Sequence, residues 1–439
     1  MTTIDIDIDA LLQPLGPFER PPILAAAISG GSDSTALGLL LADWIAQRGG
    51  HLHVLSVDHG LRPEAGAECA AVARRFQALP RCSAEILTWQ GAKPATGLQQ
   101  AAREGRFRLM TDWCRARGIL HLALGHTADD QAETVAMRRD HGSSALGLAA
   151  MPAVTQRDGV RLLRPLLGVT RAELRACLTA RGEGWTEDPS NDAAQFERVR
   201  QRAALAASGE SGALLAGARR DGVARDAAER DAARFLARAA KLAPEGWLGI
   251  DLVAWHAAAP QLRTQVLRQT LLAVGGHAYP PAPDAVQRLA DSDPSQITGT
   301  LAGCILASRQ GQLVLCREAG DIRHFPEITP GWSGRWDERF ALAVAADLAP
   351  GALAIRPLGE EGQRQAARLN GISLKRHPVP AAARAALPAL WRGEQVLAQP
   401  HLALGHGLTA RLAPRHNATT CGFTVAVRPP HTMYSSFPG

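Results

Sequence analysis

The chain has 439 residues, 46% hydrophobic and 21% charged, which describes a soluble globular protein of two or three domains. No apolar run approaches the ~18 residues that a bilayer span needs, so a membrane is excluded as a partner at this stage. The net charge is +6, and the segment from 331 to 439 carries all of it, with twelve Arg and Lys against six Asp and Glu.

The first stretch, MTTIDIDIDALLQ, is acidic and lacks the basic start, apolar core and small-residue cleavage site of a signal peptide, so a cytoplasmic protein is expected. Four apolar runs follow, at 23–28, 51–57, 84–89 and 119–124, each ahead of a longer amphipathic stretch. That alternation predicts a parallel, doubly wound α/β sheet covered on both faces, whose ligands collect at the carboxyl ends of the strands. From about 196 to 241 the chain turns Ala- and Arg-rich and predicts one or two exposed helices. A second helical pattern follows, and then a hairpin around Gln310-Gly311. The Pro- and Gly-rich stretch 324–334 is the candidate linker. Three domains are therefore expected: an α/β domain over 1–210, a mainly helical one over 211–325 and a small basic α+β one over 326–439.

Seven cysteines (Cys69, Cys82, Cys114, Cys177, Cys304, Cys316 and Cys421) form no CxxC pair. A disulfide framework and a four-cysteine zinc or iron–sulfur site are not expected. Of 48 basic residues only Lys93, Lys241 and Lys375 are lysine. Arginine forks phosphate well, although a GC-rich genome gives the same bias. The basic terminal segment is either a footprint for a polyanion or an ordinary solvated surface.

The run Ser29-Gly30-Gly31-Ser32-Asp33-Ser34 lies between the first strand and the first helix, where free N–H groups and the helix dipole favour an anion. Its glycines permit close approach of a phosphate, and its hydroxyls add donors. It is not a Walker A loop, because no GxxxxGK[ST] occurs. A Ser-rich cap that binds nothing is the other reading.

After a buried first strand, SGGSDS resembles the signature of the PP-loop ATPases. Further segments narrow the likeness: Ser56-Val57-Asp58-His59-Gly60-Leu61-Arg62, the AAREGRF run at 101–107, the LGHTADDQAET run at 124–134, and Arg164-Pro165-Leu166-Leu167. With Glu187-Asp188-Pro189-Ser190-Asn191 followed by Arg198, Arg200 and Arg202, they are similar in order and spacing to the tRNA(Ile)-lysidine synthetase family over about 23–205, with weaker similarity to about 405. The sequence departs from that family at His141-Gly142-Ser143-Ser144, where an RGSG-like run is usual, and at Val199, where Asn is common.

The resemblance implies an enzyme of the cytoplasm that uses ATP, Mg2+ and free L-lysine to convert the wobble cytidine of an isoleucine tRNA with a CAU anticodon to lysidine. AMP would pass to the cytosine O2, and pyrophosphate would leave toward Ser29, Gly30, Gly31, Ser32, Asp33 and Ser34. Asp33 would take the magnesium ion, or it is a helix-cap carboxylate. Asp58 would lie by the nucleotide, or it is a strand-end turn residue. Arg103 and Arg106, at i and i+3, would stabilise the α-phosphate, or they form a solvated helix face. Asp130 and Glu133 form a paired-carboxylate face suited to the ammonium groups of lysine, with His126 beside them to relay a proton or bind phosphate. The spacing of Arg198, Arg200 and Arg202 suits an irregular segment wrapping a tRNA backbone. A PP-loop tRNA thiolase and an idle tRNA-binding protein are the alternatives, and the assembly state, a homodimer included, is left open.

Overall fold

The computed structural model describes residues 6–90, 96–141, 148–149, 151–187, 197–277, 281–293, 297–323, 325–349, 351–370, 374 and 377–414. The chain divides into two compact units, Met1–Asp226 and Ala227–Gly439.

In the first unit, the short helix α1 (Ile8–Leu12) precedes a regular alternation of strand and helix. It runs β1 (Ile23–Ala27), α2 (Ser32–Arg48), β2 (His51–Asp58), α3 (Ala65–Gln77), β3 (Cys82–Thr88), α4 (Leu98–Ala116), β4 (His121–Leu124) and α5 (Ala128–Asp140). The hairpin β5 (Val154–Arg157) and β6 (Val160–Leu163) follows, and then α6 (Arg171–Ala180) and α7 (Glu197–Ser208). The sheet order is β3-β2-β1-β4-β6-β5, parallel except for β5, which folds back on β6 through Asp158 and Gly159, both at positive φ. Small apolar residues make β1 because both of its faces are covered. Leu24 and Ala26 join a core with Leu37, Leu41 and Phe76, and Ala25 joins another with Met110 and Trp113. Helix α2 packs so closely on α3 that a Cβ at Gly38 would fall 2.5 Å from Phe76 Cζ.

The order of the sheet sets the position of the site. From β1 the chain runs outward to β2 and β3, then returns to β4 on the other side, so the reversal lies between β1 and β4. Crevices at such reversals hold ligands in open α/β sheets.

The boundary between the units falls within α8 (Ser211–Ala239). The second unit holds a five-stranded antiparallel sheet of β7 (Ala240–Leu242), β8 (Leu248–Asp251), β9 (Thr298–Leu301), β10 (Cys304–Arg309) and β11 (Gln312–Arg317). Three helices accompany it, α9 (Leu252–Ala257), α10 (Pro260–Gly275) and α11 (Pro283–Asp291), and Trp255 is fully buried. The hairpin expected around Gln310-Gly311 is β10–β11, with both turn residues at positive φ. The expected linker supplies instead β12 (Glu327–Ile328) and the start of β13 (Ser333–Trp336). Then come β14 (Phe340–Val344), β15 (Leu353–Pro357), α12 (Gly359–Asn370), α13 (Ala381–Ala385), β16 (Pro388–Arg392), β17 (Gln395–Ala398) and β18 (Leu408–Leu412). They form a four-stranded sheet, β12-β15-β16-β17, and a three-stranded one, β13-β14-β18. Buried Asp337 pairs with Arg317 at 3.0 Å and Arg339 at 2.7 Å, which ties β11 to the β13–β14 turn.

Candidate active site

The loop between β1 and α2 has the form that phosphate chemistry needs. Gly30 sits at φ +91°, where a side chain is strained and would press on Val72 Cγ2 at 3.2 Å. Gly31 is the N-cap of α2 and offers no side-chain cap, so the first-turn N–H groups remain available to an anion. The hydroxyls shape the loop from inside: Ser34 Oγ donates to the Gly31 carbonyl at 3.1 Å and accepts from the Ser29 N–H at 3.2 Å. Thr186 N–H donates to the Gly30 carbonyl at 2.9 Å. Gly125, after β4, lies against the backbone of Asp33 and Ser34.

Asp130 and Glu133 come to the site because Thr127 starts α5 with a capping box: its Oγ1 accepts from the Asp130 N–H, and Asp130 Oδ2 accepts from the Thr127 N–H at 2.8 Å. A second capping box, Thr170–Glu173, starts α6 and sets Arg171 at its first position. The Arg171 N–H donates to Asp129 Oδ2 at 2.8 Å. Its guanidinium reaches Asp33 Oδ2 at 2.9 Å, Asp130 Oδ1 at 3.3 Å and Glu133 Oε1 at 3.8 Å. The expected nucleotide-loop carboxylate and the expected lysine carboxylates therefore share one cation. Burial works to lower the Arg171 pKa, but the bond to Asp33 and the charges of Asp33, Asp130 and Glu133 outweigh it and raise the pKa above its ordinary value. Glu133 is 2% exposed, its Oε1 also accepts from Arg202 Nε at 2.8 Å, and its Oε2 has no hydrogen-bond partner.

Basic groups gather beside these acids. Arg103 and Arg106 of α4 lie over the Phe107 ring at 5.3 and 5.6 Å. Arg164, 9% exposed, donates through Nη1 to the Pro152 carbonyl at 2.9 Å and Thr155 Oγ1 at 3.1 Å. Burial first, then the Arg103 charge, pushes Arg106 down to about 10; burial, then Arg103 and Arg225, does the same to Arg164. His126 is pushed to about 3 by burial and by the charges of Arg164, Arg103 and Arg106, against the opposing pull of Asp130. It is neutral near pH 7, and its Nδ1 is buried without a hydrogen-bond partner. Excess positive charge in a part-buried crevice fits an anion.

Asp58, at the end of β2, accepts from the Gly60 N–H at 2.8 Å, which is the strand-end turn role. The segment carrying Arg198, Arg200 and Arg202 is not irregular: it lies on the helix α7. Its RAALAA run has high helix propensity, and a two-residue arginine spacing says nothing against that. Arg202 turns inward to Glu133, Arg200 is exposed, and the Arg198 and Val199 side chains lie outside the described residues, as do 142–144 and 188–196. Sequence reasoning missed Arg171 and the charge of Arg164. The Thr-x-x-Glu pattern at 170–173 was the available signal for the first.

Compared with known proteins, the chain is 34% identical over 409 residues to the tRNA(Ile)-lysidine synthase of Ruegeria pomeroyi, covering 90% of this chain and 92% of that one. The chain belongs to the tRNA(Ile)-lysidine synthase family. Members from Rhizobium meliloti and Rhodopseudomonas palustris are each 37% identical, over 75% and 68% of this chain and 76% and 91% of theirs. The PP-loop domain family matches residues 2–208, which include both the loop and the carboxylates. Family membership agrees with the ATP-dependent ligase reading and does not favour the thiolase alternative. Among the described residues no helix is long and apolar enough to cross a membrane.

Proposed function

We propose that the protein joins free lysine to C2 of the wobble cytidine of a CAU-anticodon isoleucine tRNA, with ATP converted to AMP and pyrophosphate, so that the anticodon reads AUA instead of AUG. The observation that carries this reading is the meeting, at the reversal between β1 and β4, of the open α2 N-terminus with Asp33 and the Asp130–Glu133 pair. An anion site and a cation site then stand side by side, as an adenylating step followed by attack of an amine requires.

In the first step the cytosine O2 attacks the α-phosphorus, a P–O bond forms, and pyrophosphate leaves into the Ser29–Ser34 loop. Arg103, Arg106 and Arg164 stabilise the charge that develops on the α-phosphate. Asp33, at the open N-terminus of α2, would hold a Mg2+ together with the substrate phosphates. Bound there, the ion would neutralise phosphate oxygens.

In the second step a neutral lysine amine attacks C2, the C–O bond to AMP breaks, and the amine gives up a proton. Free lysine carries a pKa of about 10.4, so the site must seat the cation and take that proton. Asp130 and Glu133 seat it, and the proton passes to this carboxylate pair as the amine attacks. Neutral His126 hydrogen-bonds the anion, whose approach raises its pKa. Residues 1–210 form the catalytic domain, while 211–325, 326–439, Arg198 and Arg200 hold tRNA; Arg202 joins them when it leaves Glu133. A cytoplasmic location follows from this substrate, and a homodimer is tested by sedimentation.

The deciding experiment incubates the protein with ATP, lysine and an isoleucine tRNA transcript. AMP release together with a lysine adduct at the wobble cytidine, seen by mass spectrometry of nuclease fragments, is expected. ATP turnover without that adduct would overturn the reading.

A further inference from the structure

We propose that Arg171 is a resident stand-in for the substrate's ammonium group: its guanidinium fills the bay between Asp33, Asp130 and Glu133 in the free protein, and incoming lysine takes Asp130 and Glu133 from it. The inference rests on the proposed function and names how its lysine site is kept before use.

The duties of Arg171 divide between main chain and side chain. The fold uses its backbone: the N–H is bonded to Asp129, and the cap of α6 is made by Thr170 and Glu173. The guanidinium, in contrast, spends its contacts on the three carboxylates that bear the chemistry. Those contacts are unequal. The bond to Asp33 is 2.9 Å, whereas Asp130 and Glu133 stand at 3.3 and 3.8 Å, so the last two are the ones a better-placed cation can take.

The bay also holds an acceptor that Arg171 does not use. Glu133 is almost wholly buried, and its Oε2 accepts no hydrogen bond. Asp130 Oδ2 is fixed by the Thr127 N–H and Oγ1, which leaves Oδ1 turned to the bay. Asp33, Asp130 and Glu133 share the one Arg171 guanidinium, and Glu133 also meets Arg202. An ammonium group, a compact charge with three donors, matches the unused acceptor. When it arrives, Arg171 keeps Asp33, and the loop carboxylate stays aligned.

The test compares wild type with Arg171→Met and Arg171→Gln, which leave the backbone bond to Asp129 and the capping box in place. Lysine incorporation into the transcript gives kcat and KM for lysine, and pyrophosphate release reports the first step. A resident competitor raises the apparent dissociation constant, which is the intrinsic one divided by the fraction of sites it leaves free. Both variants should therefore lower KM for lysine by about threefold or more, while kcat falls because Asp33 is no longer held. Arg171→Lys, which keeps a cation in the bay, should return KM toward wild type. An unchanged or raised KM in the neutral variants overturns the proposal, as does failure of both to fold, which would make Arg171 a structural keystone. Wild type that adds no lysine to the transcript would instead sink the proposed function.

Discussion

Glu133 shows how one side chain can serve two states of a site. Buried at 2% exposure with Arg202 and Arg171 at Oε1, it keeps its charge compensated and still has an empty acceptor. If that acceptor receives lysine, Glu133→Gln should preserve ATP- and tRNA-dependent pyrophosphate release but raise the lysine concentration needed for product. Removing a charged hydrogen bond to a buried ammonium costs about 2 kcal/mol or more, over tenfold in affinity. Pyrophosphate release with lysine omitted is the check, and its disappearance in the variant would move Glu133 to the metal site.

His126 gives a pH prediction of definite sign. Burial and neighbouring arginines hold it at about 3 in the folded protein, below the ordinary 6.5. Between those values the unfolded chain binds a proton that the native one refuses, so this group makes stability rise with pH across the window. His126→Gln should flatten that rise, measured by urea unfolding at several pH values. In wild type, its NMR titration should shift upward when ATP is added.

At the scale of elements, the site depends on how closely β4 and α2 meet. A Cβ at Gly125 would stand 3.1 Å from Ser34 Cα and 3.2 Å from its nitrogen, backbone atoms that cannot turn aside. Gly125→Ala should push the phosphate loop out of place, at a stability cost of about 1–3 kcal/mol and with a raised KM for ATP. Thermal unfolding and ATP titration measure the two effects, and an unchanged KM for ATP would show that the loop is set by β1 alone. Capping boxes at the starts of α5 and α6 perform the matching task for the carboxylates and Arg171, since they fix where each helix begins and hence which side chains meet.

For the whole molecule, the charge surplus of 331–439 asks whether it reads tRNA or merely faces water. Truncation at 331 is a poor test, because it would cut the buried Arg317–Asp337 pair. Neutralising the exposed Arg364, Arg368 and Arg411 to Gln leaves that core intact. If they touch tRNA phosphates, binding should weaken and the salt slope should fall by ~0.7–0.9 for each phosphate that is no longer neutralised. An unchanged slope in a filter-binding titration would identify them as ordinary surface charge.

The sequence by itself determined the α/β unit and the loop, because a parallel sheet writes its buried strands as continuous apolar runs and its helices as periodic ones. Runs at 23–28 and 119–124 correspond to β1 and β4, and Ser29–Ser34 stands between strand and helix as expected. Local patterns also placed Asp130 and Glu133 on one helix, and they marked the Gln310-Gly311 turn. Much of the second unit was illegible, since its three short-stranded antiparallel sheets pair segments far apart in the chain, as β14 does with β18. Only tertiary structure could decide that Arg171, 138 positions beyond Asp33, closes the bay, or that Arg202 turns inward from a helix. Ion pairs between distant residues leave no period in a sequence; they exist only once the sheet has brought the strand ends together.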